Sequence, residues 1–230
     1  MNYNTTITNN LSSYFDHTLL KPEATEREIE RICEQAIKYN FYSVCVPPCY
    51  VSFALKKLED SDTIVCTVIG FPLGMNDREV KIFEARHMLE SGASELDLVM
   101  NIGKFLNKNY DYVKAEINDI KNICSKSKAK LKVIIETALL AADQIEKAAE
   151  LVFDAGADYV KTSTGFSKRG ASLNDIRILR TVANRYNGLV KAAGGIRDFD
   201  TTYRMILEGS DRIGSSSSVL IMEEAVRLLS

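Results

Sequence analysis

Asp158-Tyr159-Val160-Lys161-Thr162-Ser163-Thr164-Gly165 and, one helix-length segment later, Leu189-Val190-Lys191-Ala192-Ala193-Gly194-Gly195 decide how this chain folds. Each is a short β-rich run that reads apolar apart from a single lysine. Alternate side chains of a strand share a face. Val160 and Thr162 therefore point one way and Lys161 the other, and Val190 and Ala192 oppose Lys191 in the same manner. A helix-length connection makes the two strands parallel neighbours, about 4.8 Å apart. A lysine in a buried strand is costly unless its charge is compensated or partly lost. Each ammonium disfavours the charge of the other, so one amine is expected free at neutral pH. A free amine beside a glycine run suited to phosphate suggests imine chemistry on a phosphorylated carbonyl compound.

Outward from this unit, the same alternation recurs along the chain. Strands are predicted at Tyr14–Thr18, Tyr42–Pro47, Thr63–Phe71, Ser94–Asn101, Lys130–Thr137, Asp158–Thr164, Leu189–Gly194 and Arg212–Ser215. Helical spacing of apolar residues predicts helices at Glu23–Tyr39, Asp77–Ser91, Tyr110–Ser125, Ala141–Ala155, Leu173–Asn184, Asp200–Glu208 and Val219–Leu229. Gly92, Gly156, Gly188 and Gly209 each follow a helical run and mark its end. Eight strand–helix units of similar length favour a closed (β/α)8 TIM barrel over an open doubly wound sheet. Residues 1–230 read as one domain, with 1–10 a polar N-terminal extension, and no linker-like stretch divides them.

The fourth strand sharpens the reading. In Glu95-Leu96-Asp97-Leu98-Val99-Met100-Asn101, the leucines and the methionine share one face and suit the helix layer. Glu95, Asp97, Val99 and Asn101 share the other, which places polar groups inside the barrel.

Bulk properties exclude several classes. The 230 residues are 46% hydrophobic and 26% charged, ordinary for a globular protein. A net charge of −2 gives no reason to expect nucleic acid or an anionic membrane as partner. No apolar run approaches bilayer-spanning length, and the N-terminus lacks a signal-peptide core. Five scattered cysteines argue against a disulfide framework, so a reduced, cytoplasmic compartment is expected. Cys45 and Cys49 flank Pro47-Pro48 with no second pair to complete a zinc site. No metal site is expected from spacing along the chain, and no dinucleotide fingerprint or Walker sequence is present.

Lys161 is the candidate nucleophile. Lys191 has two candidate roles, lowering the basicity of Lys161 and moving protons, with phosphate binding as the alternative. Asp97 is the natural proton-handling partner, and Asp16 on the first strand could support the network from behind. A phosphate site is expected where loops after strands seven and eight meet a helix N-terminus. Gly194, Gly195, Gly214, Ser216 and Ser217 lie there, and Gly165 closes the sixth strand nearby. His17 and His87 show no metal-ligand spacing, and Lys168-Arg169 reads as solvent-facing.

These residues fall in stretches that resemble the deoxyribose-phosphate aldolase family nearly end to end. The matching motifs are Asp16-His17-Thr18-Leu19-Leu20-Lys21-Pro22, Val44-Cys45-Val46-Pro47-Pro48, Val68-Ile69-Gly70-Phe71-Pro72-Leu73-Gly74, Glu95 to Asn101, Val133-Ile134-Ile135-Glu136-Thr137, Tyr159 to Phe166, Lys191 to Arg197 and Arg212 to Ser217. The resemblance implies a metal-independent and cofactor-free class I aldolase. Its reaction would cleave 2-deoxy-D-ribose 5-phosphate to glyceraldehyde 3-phosphate and acetaldehyde, in deoxynucleoside catabolism. By that similarity Lys161 forms the Schiff base and Asp97 and Lys191 donate and accept protons. The expected partners are a small sugar phosphate and an aldehyde, and a homodimer or higher homo-oligomer is the expected assembly. Ala193 departs from the serine common at its position, and longer members carry a tail ending in tyrosine where this sequence stops at Leu229-Ser230. Rival readings are another Schiff-base aldolase, an isomerase with Asp97 or Glu136 as base, and a non-catalytic sugar-phosphate binder.

Overall fold

The computed structural model describes residues 3–229. Eight parallel strands close into one barrel in sequence order. They are β1 (Phe15–Thr18), β2 (Ser43–Val46), β3 (Ile64–Ile69), β4 (Glu95–Val99), β5 (Lys130–Ile134), β6 (Tyr159–Lys161), β7 (Leu189–Ala193) and β8 (Arg212–Ser215). Around them run α1 (Thr5–Asn9), α2 (Glu26–Tyr39), α3 (Val51–Lys57), α4 (Arg78–Glu90), α5 (Ile102–Leu106), α6 (Tyr110–Lys126), α7 (Ala142–Asp154), α8 (Leu173–Tyr186), α9 (Phe199–Leu207) and α10 (Ser218–Leu229). The (β/α)8 barrel expected from the strand count is therefore what forms. Among the described residues no helix is long and apolar enough to cross a membrane.

The elements start and stop for local reasons. Thr25 and Glu28 form a capping box at α2, so that helix begins after Thr25 and not at Glu23. Ser172 and Asp175 do the same for α8. At the end of α8 the left-handed residue is Asn187, with φ 52°. Gly188 is small for another reason: a Cβ there would lie 2.2 Å from the Phe153 ring. Three helices escape the periodicity reading because they are too short to show it. In α3 only Val51 and Ala54 are buried. The stretch read as a polar extension is packed: Ile7 of α1 is buried, and Tyr3 meets Phe199 and Tyr203 edge-on.

Leu96 and Leu98 face the helices and Glu95 and Asp97 the barrel axis, all fully or almost fully buried. Behind β4, Lys81 of α4 pairs with Glu116 of α6 at 2.9 Å, and neither side chain is exposed. Lys81 also donates to the carbonyl of Val99 at 2.9 Å, tying the helix layer to the end of β4.

Candidate active site

Strand register gathers the ionisable groups. Lys161 and Lys191 are partners on β6 and β7, Lys191 and Arg212 on β7 and β8, and Asp97 and Lys132 on β4 and β5. All point inward. Lys161 and Lys191 each donate to Oδ2 of Asp97 at 2.7 Å. Lys191 also meets Asp16, and Arg212 donates to Oδ1 of Asp16 at 2.6 Å. Asp16 thus holds the far side of the network.

The hub of this network includes a residue that the sequence reading passed over. Lys132 is completely buried and contacts Glu95 at 2.5 Å and Asp97 Oδ1 at 2.9 Å. Its signal was available, since it is the one lysine between Leu131 and Val133. Glu95 and Arg212 complete the set, and the Arg212 guanidinium stacks 3.5 Å from the centre of the Tyr42 ring.

Electrostatics here follow from burial and pairing together. Burial favours the neutral carboxylic acid at Asp97, but Lys132, Lys161 and Lys191 outweigh it and hold the group well below the usual carboxylate range. Asp16 is lowered against the same burial penalty by Lys191, Lys132 and Arg212. Burial likewise favours a neutral Lys191, yet Asp16 and Asp97 overcome it and keep the ammonium charged. Lys191 is therefore a cation clamped between carboxylates. Repulsion from Lys132 is a smaller effect than either carboxylate's attraction. Four basic groups, Lys132, Lys161, Lys191 and Arg212, face three carboxylates, Asp16, Glu95 and Asp97. The interior is electroneutral when one amine lacks its proton.

A cavity of about 240 Å³ opens above this cluster at the C-terminal ends of the strands. Its wall includes Thr18 to Lys21 from the end of β1 onward, Lys161 at the end of β6 with Thr164 to Phe166 beyond it, Ala193 to Arg197 from the end of β7 onward, and Gly214 to Ser216 at the end of β8. Of the four basic groups in the cluster, Lys161 alone lines it. Asp97 and Lys191 lie beneath. Gly194 holds φ 87°, and a Cβ on it would sit 3.0 Å from the Cα of Gly170 and 3.4 Å from that of Gly165. Bare backbone thus brings the β6 and β7 loops into contact at the rim.

The expected phosphate residues divide. Gly165, Gly194, Gly195, Gly214 and Ser216 line the cavity, whereas Ser217 does not. The Ser217 N–H donates to Oγ of Ser215 at 2.9 Å and so is already engaged. Gly214 is a strand residue whose missing Cβ leaves room for the Lys191 stem, 3.1 Å away. Lys21 and Arg197 also belong to the wall. Arg169 is anchored on Asp175 at 2.5 Å. Glu136 is outside the wall, where its Oε2 accepts from the hydroxyl of Thr164 at 2.5 Å.

A closed (β/α)8 barrel with a charged, half-open cavity at its strand C-termini is an enzyme architecture. Residues 11–217 match the model of the DeoC/LacD family aldolases, and the chain belongs to that family. It is 49% identical over 214 residues to the deoxyribose-phosphate aldolase of Clostridium novyi, covering 93% of this chain and 96% of that protein. The deoxyribose-phosphate aldolase of Thermococcus gammatolerans is also 49% identical, over 94% of this chain and 96% of its own length. Among solved structures, the tetrameric deoxyribose phosphate aldolase from Aeropyrum pernix superposes with a TM-score of 0.89 at 34% identity, over 97% of this chain and 93% of that one.

Proposed function

We propose that this chain reversibly cleaves 2-deoxy-D-ribose 5-phosphate to D-glyceraldehyde 3-phosphate and acetaldehyde through a Schiff base on Lys161. The observation that carries the reading is positional. Lys161 is the amine of the buried cluster that reaches the cavity, and it keeps a carboxylate 2.7 Å away.

Unprotonated Lys161 attacks the C1 aldehyde of the open-chain sugar, and water leaves from the carbinolamine. The cationic imine draws electrons as the C3 hydroxyl loses its proton and the C2–C3 bond breaks. Asp97 and Lys191 hold and return these protons, Asp97 as acceptor and Lys191 as the charged donor behind it. Glyceraldehyde 3-phosphate departs, and the enamine left on Lys161 is protonated at carbon and hydrolysed to acetaldehyde. The phosphate rests against Gly165, Gly194, Gly195, Gly214 and Ser216, with Ser217 shaping the loop behind them. No cofactor or metal enters this scheme.

The relatives named for this activity support the substrate. The tetramer from Aeropyrum pernix supports a homo-oligomer, and we place the enzyme in the cytoplasm, in deoxyribose phosphate breakdown. The test is to incubate the purified protein with the sugar phosphate and borohydride, then map peptides by mass. A two-carbon or sugar-derived mark on Lys161 is expected, with glyceraldehyde 3-phosphate formed when borohydride is left out. Product formation with the Lys161 peptide unmodified would overturn the Schiff-base assignment.

A further inference from the structure

Spacing along the chain pairs Cys45 with Cys49, but the fold pairs Cys45 with Cys66. The two are register partners on β2 and β3, and both are completely buried. They belong to a small inner cluster with Val68, against which Leu20 and Phe71 pack. Cys49 is exposed, and Cys33 and Cys124 are buried elsewhere, on α2 and α6. The sulfurs of Cys45 and Cys66 and a carboxylate oxygen of Asp97 all lie within 4.8 Å of one another. Ligand atoms around one tetrahedral ion with bonds of about 2.0–2.3 Å stand roughly 3.4–3.8 Å apart. Small side-chain movements would therefore bring the three onto a single ion.

We propose that Cys45, Cys66 and Asp97 form a capture site for a thiophilic divalent cation of the zinc or cadmium kind, and that filling it switches the lysine cluster off. Two thiolates and a carboxylate are the ligand set such ions take up, with a fourth position left for water. The charge balances, because the ion's two positive charges replace the two protons that leave the thiols. No net charge is added to a buried, crowded interior. The ammonium of Lys132 now stands beside this position, 3.3 Å from Cys66 Sγ and 2.9 Å from Asp97 Oδ1. It must withdraw, and Glu95 at 2.5 Å is there to keep it paired. Entry is short: Leu20 lines the cavity on one side and packs on the cysteine cluster on the other. Cys66 Sγ lies 3.3 Å from Oδ1 of Asp97, so the ion takes that oxygen, drains charge from the carboxylate, and leaves Oδ2 a weaker acceptor for Lys161 and Lys191.

The test uses the Cys49→Ala protein, which removes the exposed thiol, and cadmium chloride as the probe. One equivalent of cadmium per chain is expected to produce the ultraviolet charge-transfer absorption of thiolate–cadmium bonds. The band should weaken when Cys45→Ala is added and again when Cys66→Ala is added. Aldolase turnover should fall by about 10²-fold as the band grows, and return on adding a chelator. Absence of the band in folded Cys49→Ala protein would overturn the site. So would a band of equal height in the Cys66→Ala background, and full turnover in the presence of the band would overturn the switch. The spectral readout does not depend on which aldehyde or sugar the enzyme uses, so its failure is separable from failure of the proposed reaction.

Discussion

Lys161 and Lys191 are register partners on adjacent strands, and both donate to the same oxygen, Oδ2 of Asp97, at 2.7 Å each. A single carboxylate oxygen therefore answers to the amine that meets the cavity and to the ammonium buried behind it. Anything that moves a proton at Lys161 is felt at Lys191 through that oxygen. This coupling explains why the cluster is built from strands and not loops, since only the ladder fixes three side chains to a common point.

Removing the proposed nucleophile tests the centre of the scheme. Lys161→Ala should leave no turnover, and Lys161→Arg should fail too, because a guanidinium stays protonated and cannot add to a carbonyl. Coupled detection of glyceraldehyde 3-phosphate measures both. Turnover at the parent rate in either variant would refute the assignment.

Asp97→Asn should keep the side chain's shape and lose its charge. Turnover is expected to drop by about 10²–10⁴-fold, the range for loss of a positioned proton acceptor. The borohydride-trapped adduct on Lys161 should form slowly in this variant, since carbinolamine collapse also needs proton movement. An unchanged rate of trapping would limit Asp97 to the carbon–carbon bond step.

Acid should weaken the fold through the same groups. Asp16 and Asp97 lie below the ordinary carboxylate value in the folded state, despite burial, because of their cations. Groups depressed on folding contribute stability above the unfolded value, about 3.9, and that contribution is lost as pH falls below it. Urea midpoints measured from about pH 6 down to about pH 2.5 should therefore fall steeply below pH 4. Asp16→Asn should start less stable and show a flatter acid limb. Parallel curves for the two proteins would count against the linkage.

How much of this could be read beforehand depends on what signal each residue leaves. Lys161, Lys191 and Asp97 were legible because each is the lone charge in phase with an apolar strand. Lys132 carries the same mark, but it abuts the basic stretch Lys126–Lys130 and is easily taken for part of a solvated helix exit. Arg212 opens its strand, where a charge usually reaches solvent, and nothing local shows that β1 supplies Asp16 to hold it. The Cys45–Cys66 pairing is a matter of register between strands, which spacing along one strand cannot reveal. Ser217 belongs to a serine run whose members look alike in sequence, and only the turn decides whose N–H is already used. The barrel itself was the most legible feature, since eight repeats of one period restrict the topology far more than any single boundary does.

The Lys81–Glu116 pair behind β4 offers a contrast with the buried cluster around Asp97. Burial lowers the Lys81 ammonium against the pull of Glu116 and raises the Glu116 carboxyl against the pull of Lys81. Both shifts disfavour the charged forms, so desolvation outweighs attraction in this pair, the reverse of Asp97 and Lys191. Breaking it singly should be severe. Lys81→Met leaves Glu116 without its cation, where it accepts the Asn101 N–H at 3.0 Å, and the expected loss is about 3–5 kcal/mol. Replacing both, as Lys81→Met with Glu116→Leu, removes the buried charges together. That double variant should regain most of the single variant's loss, ending within about 1–2 kcal/mol of the parent. Its remaining deficit comes from the Val99 carbonyl and Asn101 N–H, which lose their partners. Urea denaturation of the four proteins closes the cycle. If the double variant were as unstable as Lys81→Met, the pair would be contributing net stability, and the balance between desolvation and attraction drawn here would have the wrong sign.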